Sequence, residues 1–370
     1  PSNTLVTFGY DNNANSNLLD DNDNLAKVIS PDATLTFVTN AFDRLESATT
    51  TGSPLQPDIR LTYTYDKNGN RLTALAKTAA NVTIASFSYA PDALNRLDLL
   101  TNVLTGQAVD FQYDPLSRRK QVDFPTSTRT TTTYNLASEI DLITHVFDPG
   151  GVNTLISSFD YAPDPVGNRD TLTETRPTFS ITSGLNDFGY DLLNRLTSAT
   201  HPTIPTEGYA YDPVGNRNPA TWTYNIANQL TNDTTFTYTY DFNGNQVTRS
   251  DGRTYTYSPE NQLTQVTFPG TTAAYTYDGL GRRIQKTVNG ASTRYIYDQE
   301  AILLEYDGTN ALKARDTHGA GIDEPLVMER DVDNSGTFDS TERFVYHTDG
   351  LGSVVEITDN TGVVVRSYLY

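Results

Sequence analysis

Twelve residues, Asp331-Val-Asp333-Asn-Ser335-Gly336-Thr337-Phe338-Asp339-Ser-Thr-Glu342, carry oxygen-bearing side chains at the spacing of a calcium-binding loop. Asp331 and Asp333 stand at positions one and three, Ser335 at five, Gly336 at the sharp turn, Asp339 at nine and Glu342 at twelve. A hard cation asks for about six to eight oxygens. The Thr337 carbonyl would add one, and Glu342 can close the shell through both of its own. The flanks, Pro325-Leu-Val-Met-Glu-Arg330 and Arg343-Phe-Val-Tyr346, read as strands rather than helices. The expectation is a structural Ca²⁺ site between two strands; the competing reading is an acidic turn that holds no ion.

Other chemistry is sparse. His145, His201, His318 and His347 are far apart, follow no metal-ligand spacing, and read as surface or turn positions. The absence of cysteine removes disulfides, thiolate zinc sites and Cys nucleophiles together. No Gly-x-Ser-x-Gly, P-loop or dinucleotide fingerprint occurs. Carboxylates are so common that any nominated acid–base pair would be uninformative. No catalytic or cofactor-binding residue is nominated, and the chain reads as a non-enzyme. With 26 basic against 45 acidic residues the net charge is −19, which argues against nucleic acid or an anionic membrane as partner. No run of 18 apolar residues is present, so no membrane-spanning helix is expected.

The elements that must position these residues come from a repeat. Tyr-Asp recurs at Tyr10, Tyr65, Tyr113, Tyr190, Tyr211, Tyr240, Tyr277, Tyr297 and Tyr306. Degenerate copies fill the gaps at Phe42-Asp43, Tyr89-Ala-Pro-Asp92, Tyr134-Asn135, Tyr161-Ala-Pro-Asp164, Tyr224-Asn225 and Tyr257-Ser-Pro. Alternating runs such as Thr62-Tyr63-Thr64-Tyr65 put Tyr on one face and Thr on the other, the pattern of a half-buried strand. Asp then opens a turn and Gly-Asn follows, as in Asp66-Lys-Asn-Gly69-Asn70; a second version carries Asn-Arg-Leu, as in Asn95-Arg96-Leu97. The Tyr residues are expected to pack as cross-strand ladders rather than as a carbohydrate platform. Arg71, Arg169 and Arg217 are expected to pair with acids of adjacent hairpins. No helical heptad appears. The fold class is all-β, built of stacked hairpins.

Tyr-Asp-x-x-Gly-Asn-Arg alternating with Tyr-Asp-x-x-Asn-Arg-Leu resembles the YD repeat of the RHS (rearrangement hotspot) family, which includes bacterial polymorphic-toxin shells and the extracellular part of teneurins. Tyr346-His347-Thr348-Asp349-Gly350-Leu351-Gly352-Ser353-Val354 resembles the core segment that closes such arrays. The resemblance implies a hairpin ribbon wound into a spiral or partial hollow shell, with tandem repeats over residues 1–300 and a core segment over 301–370 that carries the 331–342 insertion. It also implies a secreted or cell-surface protein whose shell encloses or delivers a C-terminal toxin or effector. In the family an Asp-Pro-x-Gly motif begins the self-cleaving segment. Here the sequence runs to Tyr368-Leu369-Tyr370 without it, so a core segment lacking its toxin is expected, open rather than closed. The start at Pro1, without Met or a signal-like segment, points to a processed or excised piece. The alternative is an extracellular adhesion or filament module in which sheet edges join copies.

Overall fold

The computed structural model describes residues 6–10, 24–178, 183–217 and 221–369. Asp11 and Tyr370, the ends of the repeat pattern, lie outside the described residues. Among these residues there is no helix, only antiparallel strands and turns, in keeping with the all-β expectation.

The chain divides into two compact units, Pro1–Val109 with Tyr255–Phe338, and Asp110–Thr254 with Asp339–Tyr370. In the first unit, strands from Leu25–Ile29 to Leu97–Asn102 each pair with the next in sequence. Ile59, Leu61 and Tyr63 face inward in alternation with Arg60, Thr62 and Thr64. The later strands of this unit pack on that face. Tyr63 Oη donates to Asp298 Oδ1 at 2.9 Å, Arg71 to Asp298 Oδ2 at 2.8 Å, and Asn102 to Glu329 at 2.9 Å. In the second unit a similar ladder from Arg119–Asp123 to Leu196–Thr200 meets the strands Arg343–Thr348 and Val354–Asp359. Ile143, Phe159, Tyr161, Leu172 and Val355 form its apolar cluster.

One turn serves both versions of the repeat. Its first residue accepts backbone N–H bonds from two and four positions on: Asp66 Oδ1 from Asn68 at 2.9 Å and Asn70 at 2.8 Å, Asp92 Oδ1 from Leu94 at 2.8 Å and Arg96 at 3.0 Å. Its fourth residue adopts positive φ, 97° at Gly69 and 62° at Asn95, which is why only Gly, Asn or another small polar residue recurs there. The fifth residue reaches back to the first. Asn70 and Arg96 donate to Asp66 and Asp92; where Asn opens the turn, at Asn135 and Asn225, an acceptor, Glu139 or Gln229, takes the fifth place. At these two turns donor and acceptor are exchanged together, whereas behind Asn40 the fifth residue is Arg44, which donates instead to the Asp66 carbonyl at 2.8 Å. The copy read at Phe42-Asp43 in fact opens at Asn40, whose Oδ1 accepts from Phe42 and Arg44, while Asp43 is the positive-φ residue at 57°.

The repeat tyrosine does more than pack. Its hydroxyl donates to the carbonyl just past the preceding turn: Tyr65 to Leu45 at 2.8 Å, Tyr134 to Arg119 at 2.8 Å, Tyr190 to Arg169 at 2.9 Å and Tyr277 to Leu263 at 2.8 Å. Each bond ties one hairpin to its predecessor and is worth about 1 kcal/mol net. The turn arginine lies over the next tyrosine ring, 4.4 Å from its centre at both Arg118–Tyr134 and Arg195–Tyr211. These tyrosines are half-buried; the more deeply buried ring of the strand Ile59–Tyr65 is Tyr63, two residues before Tyr65. Of the arginines expected to pair with a neighbouring hairpin, Arg71 instead reaches Asp298, far along the chain, while Arg169 and Arg217 stack on Tyr161 and Tyr209.

Candidate metal centre

The loop from Asp331 to Glu342 joins the strands Pro325–Arg330 and Arg343–Thr348, so its flanks are strands as read. Asp331 and Asp333 belong to the first unit and Glu342 to the second, and the three offer carboxylates along this one loop. Asp331 and Glu342 are buried and Asp333 is exposed. Gly336 takes φ 79°, and Asn334 φ 61°, which folds the loop back on itself.

The remaining members of the predicted set serve the loop's own backbone. Ser335 Oγ donates to the Thr337 carbonyl at 3.3 Å, and Asp339 Oδ1 accepts from the Thr341 N–H and hydroxyl, both at 2.6 Å. Glu342 Oε2 accepts the Asp339 N–H at 3.2 Å.

Sequence reading missed a basic partner. Lys313 Nζ lies 2.7 Å from Asp331 Oδ2 and 2.8 Å from Asn334 Oδ1. Its ammonium holds the Asp331 carboxyl below the ordinary carboxylate range. Hairpin register carries the signal, because the Lys313 carbonyl accepts the Asp331 N–H at 3.0 Å and so places the two residues side by side.

The histidines depart from expectation. His145 and His347 are almost completely buried rather than on the surface, and their ring centres are 4.9 Å apart in the second unit. The phase of alternation would have shown it, since His145 follows Ile143, and His347 follows Val345, on the inward face. In the first unit a cleft of about 390 Å³ is walled by Arg71, Tyr89, Asp298 and His318. Asp298 and Arg71 are matched within the protein: Asp298 accepts from Tyr63 and Arg71, Arg71 donates to Tyr89, and His318 Nε2 meets the Ile302 carbonyl at 2.7 Å.

Comparison with known proteins agrees with this architecture. Residues 171–370 match the family described as Teneurin YD-shell. The tRNA(Glu)-specific nuclease WapA of Bacillus subtilis subsp. natto is 37% identical over 153 residues, 40% of this chain but 6% of that protein. The tRNA3(Ser)-specific nuclease WapA of Bacillus spizizenii is 37% identical over 156 residues, with the same coverage. The chain thus spans about 6% of the length of these curated relatives. Among solved structures, the Tc holotoxin pore of Photorhabdus luminescens superposes over 94% of this chain and 20% of its own, with TM-score 0.69 at 16% identity. The TcdB2-TccC3 crystal structure covers 94% of this chain and 24% of its own, with TM-score 0.56 at 15% identity. The match over residues 171–370, more than half of the sequence, and the hairpin grammar that runs through both units place this chain in the teneurin YD-shell family, among the RHS and YD-repeat proteins its motifs resemble.

Proposed function

We propose that this chain is shell scaffold within a longer secreted or surface-displayed protein, and that the shell encloses or delivers an effector carried C-terminal to it. The observation that carries the reading is the latch repeated from hairpin to hairpin, tyrosine hydroxyl to carbonyl and arginine to ring, in a chain of the YD-shell family. Such a ribbon invests its side chains in holding itself together, which suits a wall rather than a catalyst. The WapA relatives are named as nucleases, but this chain matches only a small fraction of their length, so no nuclease activity is assigned to it. The test is to express the natural gene through its downstream segment and digest it lightly with protease. Protection of the downstream segment, lost when the shell is unfolded in urea, supports enclosure. Cleavage at equal rates with and without the shell refutes it.

A second reading, self-assembly into an adhesive or filamentous array, draws on the apolar turn tips. Leu136, Leu192, Ile226 and Phe242 are fully exposed, in turns of the second unit. Long fibres under the electron microscope would favour this reading, and discrete particles the first. In either case we infer that the Asp331–Glu342 loop binds Ca²⁺ structurally, through Asp331, Asp333 and Glu342, with Ser335, Asp339 and the Thr337 carbonyl recruited as the loop tightens. Calorimetric titration of chelator-treated protein should give a Ca²⁺-dependent heat and a rise in melting temperature, both lost in Glu342→Gln. Without either signal in the wild type, the loop is an acidic turn.

A further inference from the structure

The second unit buries a set of polar side chains that the shell reading leaves unused. His145, Ser157, His347, Glu356 and Thr358 are each no more than 1% exposed. Register brings them together. His145 stands opposite Ser157 across one strand pair, and His347 opposite Glu356 across another. The two rows meet where the imidazoles lie edge to face, 4.9 Å between centres, flanked by the rings of Phe159 and Phe124. His145 Nε2 faces the Thr348 carbonyl at 3.0 Å and therefore carries the proton; its Nδ1 accepts from the Thr130 hydroxyl at 2.8 Å. His347 Nε2 meets Thr358 Oγ1 at 2.9 Å. Among the described residues, His347 Nδ1, Ser157 Oγ and Glu356 Oε2 are buried without a hydrogen-bond partner.

The charges facing this pair are few. Glu356 is the nearest acid by register, and its Oε1 is taken by Arg176 Nε at 3.1 Å; Glu174 lies 4.0 Å from the same guanidinium. A proton arriving on either ring would therefore be a buried cation beside a second imidazole, near a carboxylate whose charge Arg176 already shares through Oε1. What the cluster joins gives this a consequence. It docks the strands Arg343–Thr348 and Val354–Asp359 onto Ile140–Phe147 and Thr154–Pro163.

We propose that the His145–His347 pair is an acid-sensitive clasp, closed when both rings are neutral and loosened when either is protonated, which frees the C-terminal strands from the rest of the second unit. The clasp stands on this geometry alone; its use to release a C-terminal effector rests on the shell reading above. Burial pushes the His145 imidazole down to about 4, and pushes His347 well below its ordinary value, with His145 adding to the effect. An opened segment binds protons below about pH 6.5, where the closed clasp still resists them. Stability is thus complete above that value and falls between about pH 6.5 and 4. From His145 alone, held at about 4 against about 6.5 when open, the opening equilibrium should be about 20-fold larger at pH 5 than at pH 7.

Hydrogen exchange on the whole chain at pH 7, 6 and 5, corrected for intrinsic rates, reads this directly. Amides of residues 343–359 and 140–163 should lose protection first and by about that factor, while a His145→Gln/His347→Gln chain should lose much less. A titration of the ring signals by NMR, in wild type, covers the case in which the double variant does not fold. Rings that protonate near pH 6.5 with the strands still protected overturn the clasp, as does equal acid sensitivity in variant and wild type. A wild type that instead loosens first around His318 in the first unit overturns it too.

Discussion

The Arg176–Glu356 pair offers the sharpest test of how the C-terminal strands are held. Both side chains are deeply buried, 2% and 0% exposed. Arg176 also donates to the Val355 carbonyl at 2.7 Å and the Tyr368 carbonyl at 3.1 Å, so one guanidinium spans the last two strands. Glu356→Gln keeps the shape and an acceptor but removes the nearer counter-charge and leaves Glu174, 4.0 Å away, facing the guanidinium. Removing one member of a buried pair costs about 3–5 kcal/mol, whereas replacing both by apolar residues of similar volume is close to neutral. Arg176→Met should cost a similar amount, because the remaining carboxylate must stay charged in an apolar site or take up a proton. Arg176→Met with Glu356→Leu should recover most of the loss, short of the two carbonyl bonds, at about 1 kcal/mol each. At a urea slope of about 2–3 kcal/mol/M, each single change should lower the midpoint for the second unit by about 1–2 M. Near-UV circular dichroism and exchange protection of the Val354–Asp359 strand can follow it. Single changes that shift the midpoint by less than a few tenths molar, or a double change equal to their sum, would refute the view that desolvation dominates here.

Two further outcomes follow from the same packing. Tyr63→Ala should cost about 3–5 kcal/mol, because the ring is buried and its hydroxyl serves Asp298; Tyr65→Phe should cost about 1 kcal/mol and exposed Thr64→Ala less than that, all from urea midpoints. Lys313→Met should strengthen Ca²⁺ binding at the Asp331 loop, since the ion no longer displaces an ammonium 2.7 Å from Asp331; calorimetry showing unchanged or weaker binding would place Lys313 outside the competition.

What the sequence disclosed depended on whether a residue's role is local. The strands and the Asp-opened turns were legible because their causes lie within five residues: Thr-Tyr alternation sets the faces, and the fourth turn position needs a residue that tolerates positive φ, as at Gly69 and Asn95. The identity of the two turn versions was not legible, because it rests on which atom the fifth side chain offers to the first, and that requires the closed turn. Phe42-Asp43 misled for the same reason, an aromatic–acid pair that matches the motif while Asn40 does the capping.

Residues whose partners lie far along the chain were hidden in another way. Asp298 belongs to a Tyr-Asp pair like the others, yet it serves Tyr63 and Arg71, more than 220 positions away, and nothing in its neighbours announces that. The histidines show the same limit with higher stakes. Alternation could place His145 and His347 inward, but only the meeting of two strand pairs makes them neighbours. The repeat therefore explains how the wall is built, and the departures from it mark where one stretch of wall is fastened to another. Asp298, Arg176, Glu356 and the histidine pair are all fastenings of that kind, each joining strands remote in sequence within a single unit. Should the proposed clasp open the scaffold, its sensitivity belongs at such fastenings, because the hairpin latches are many and alike.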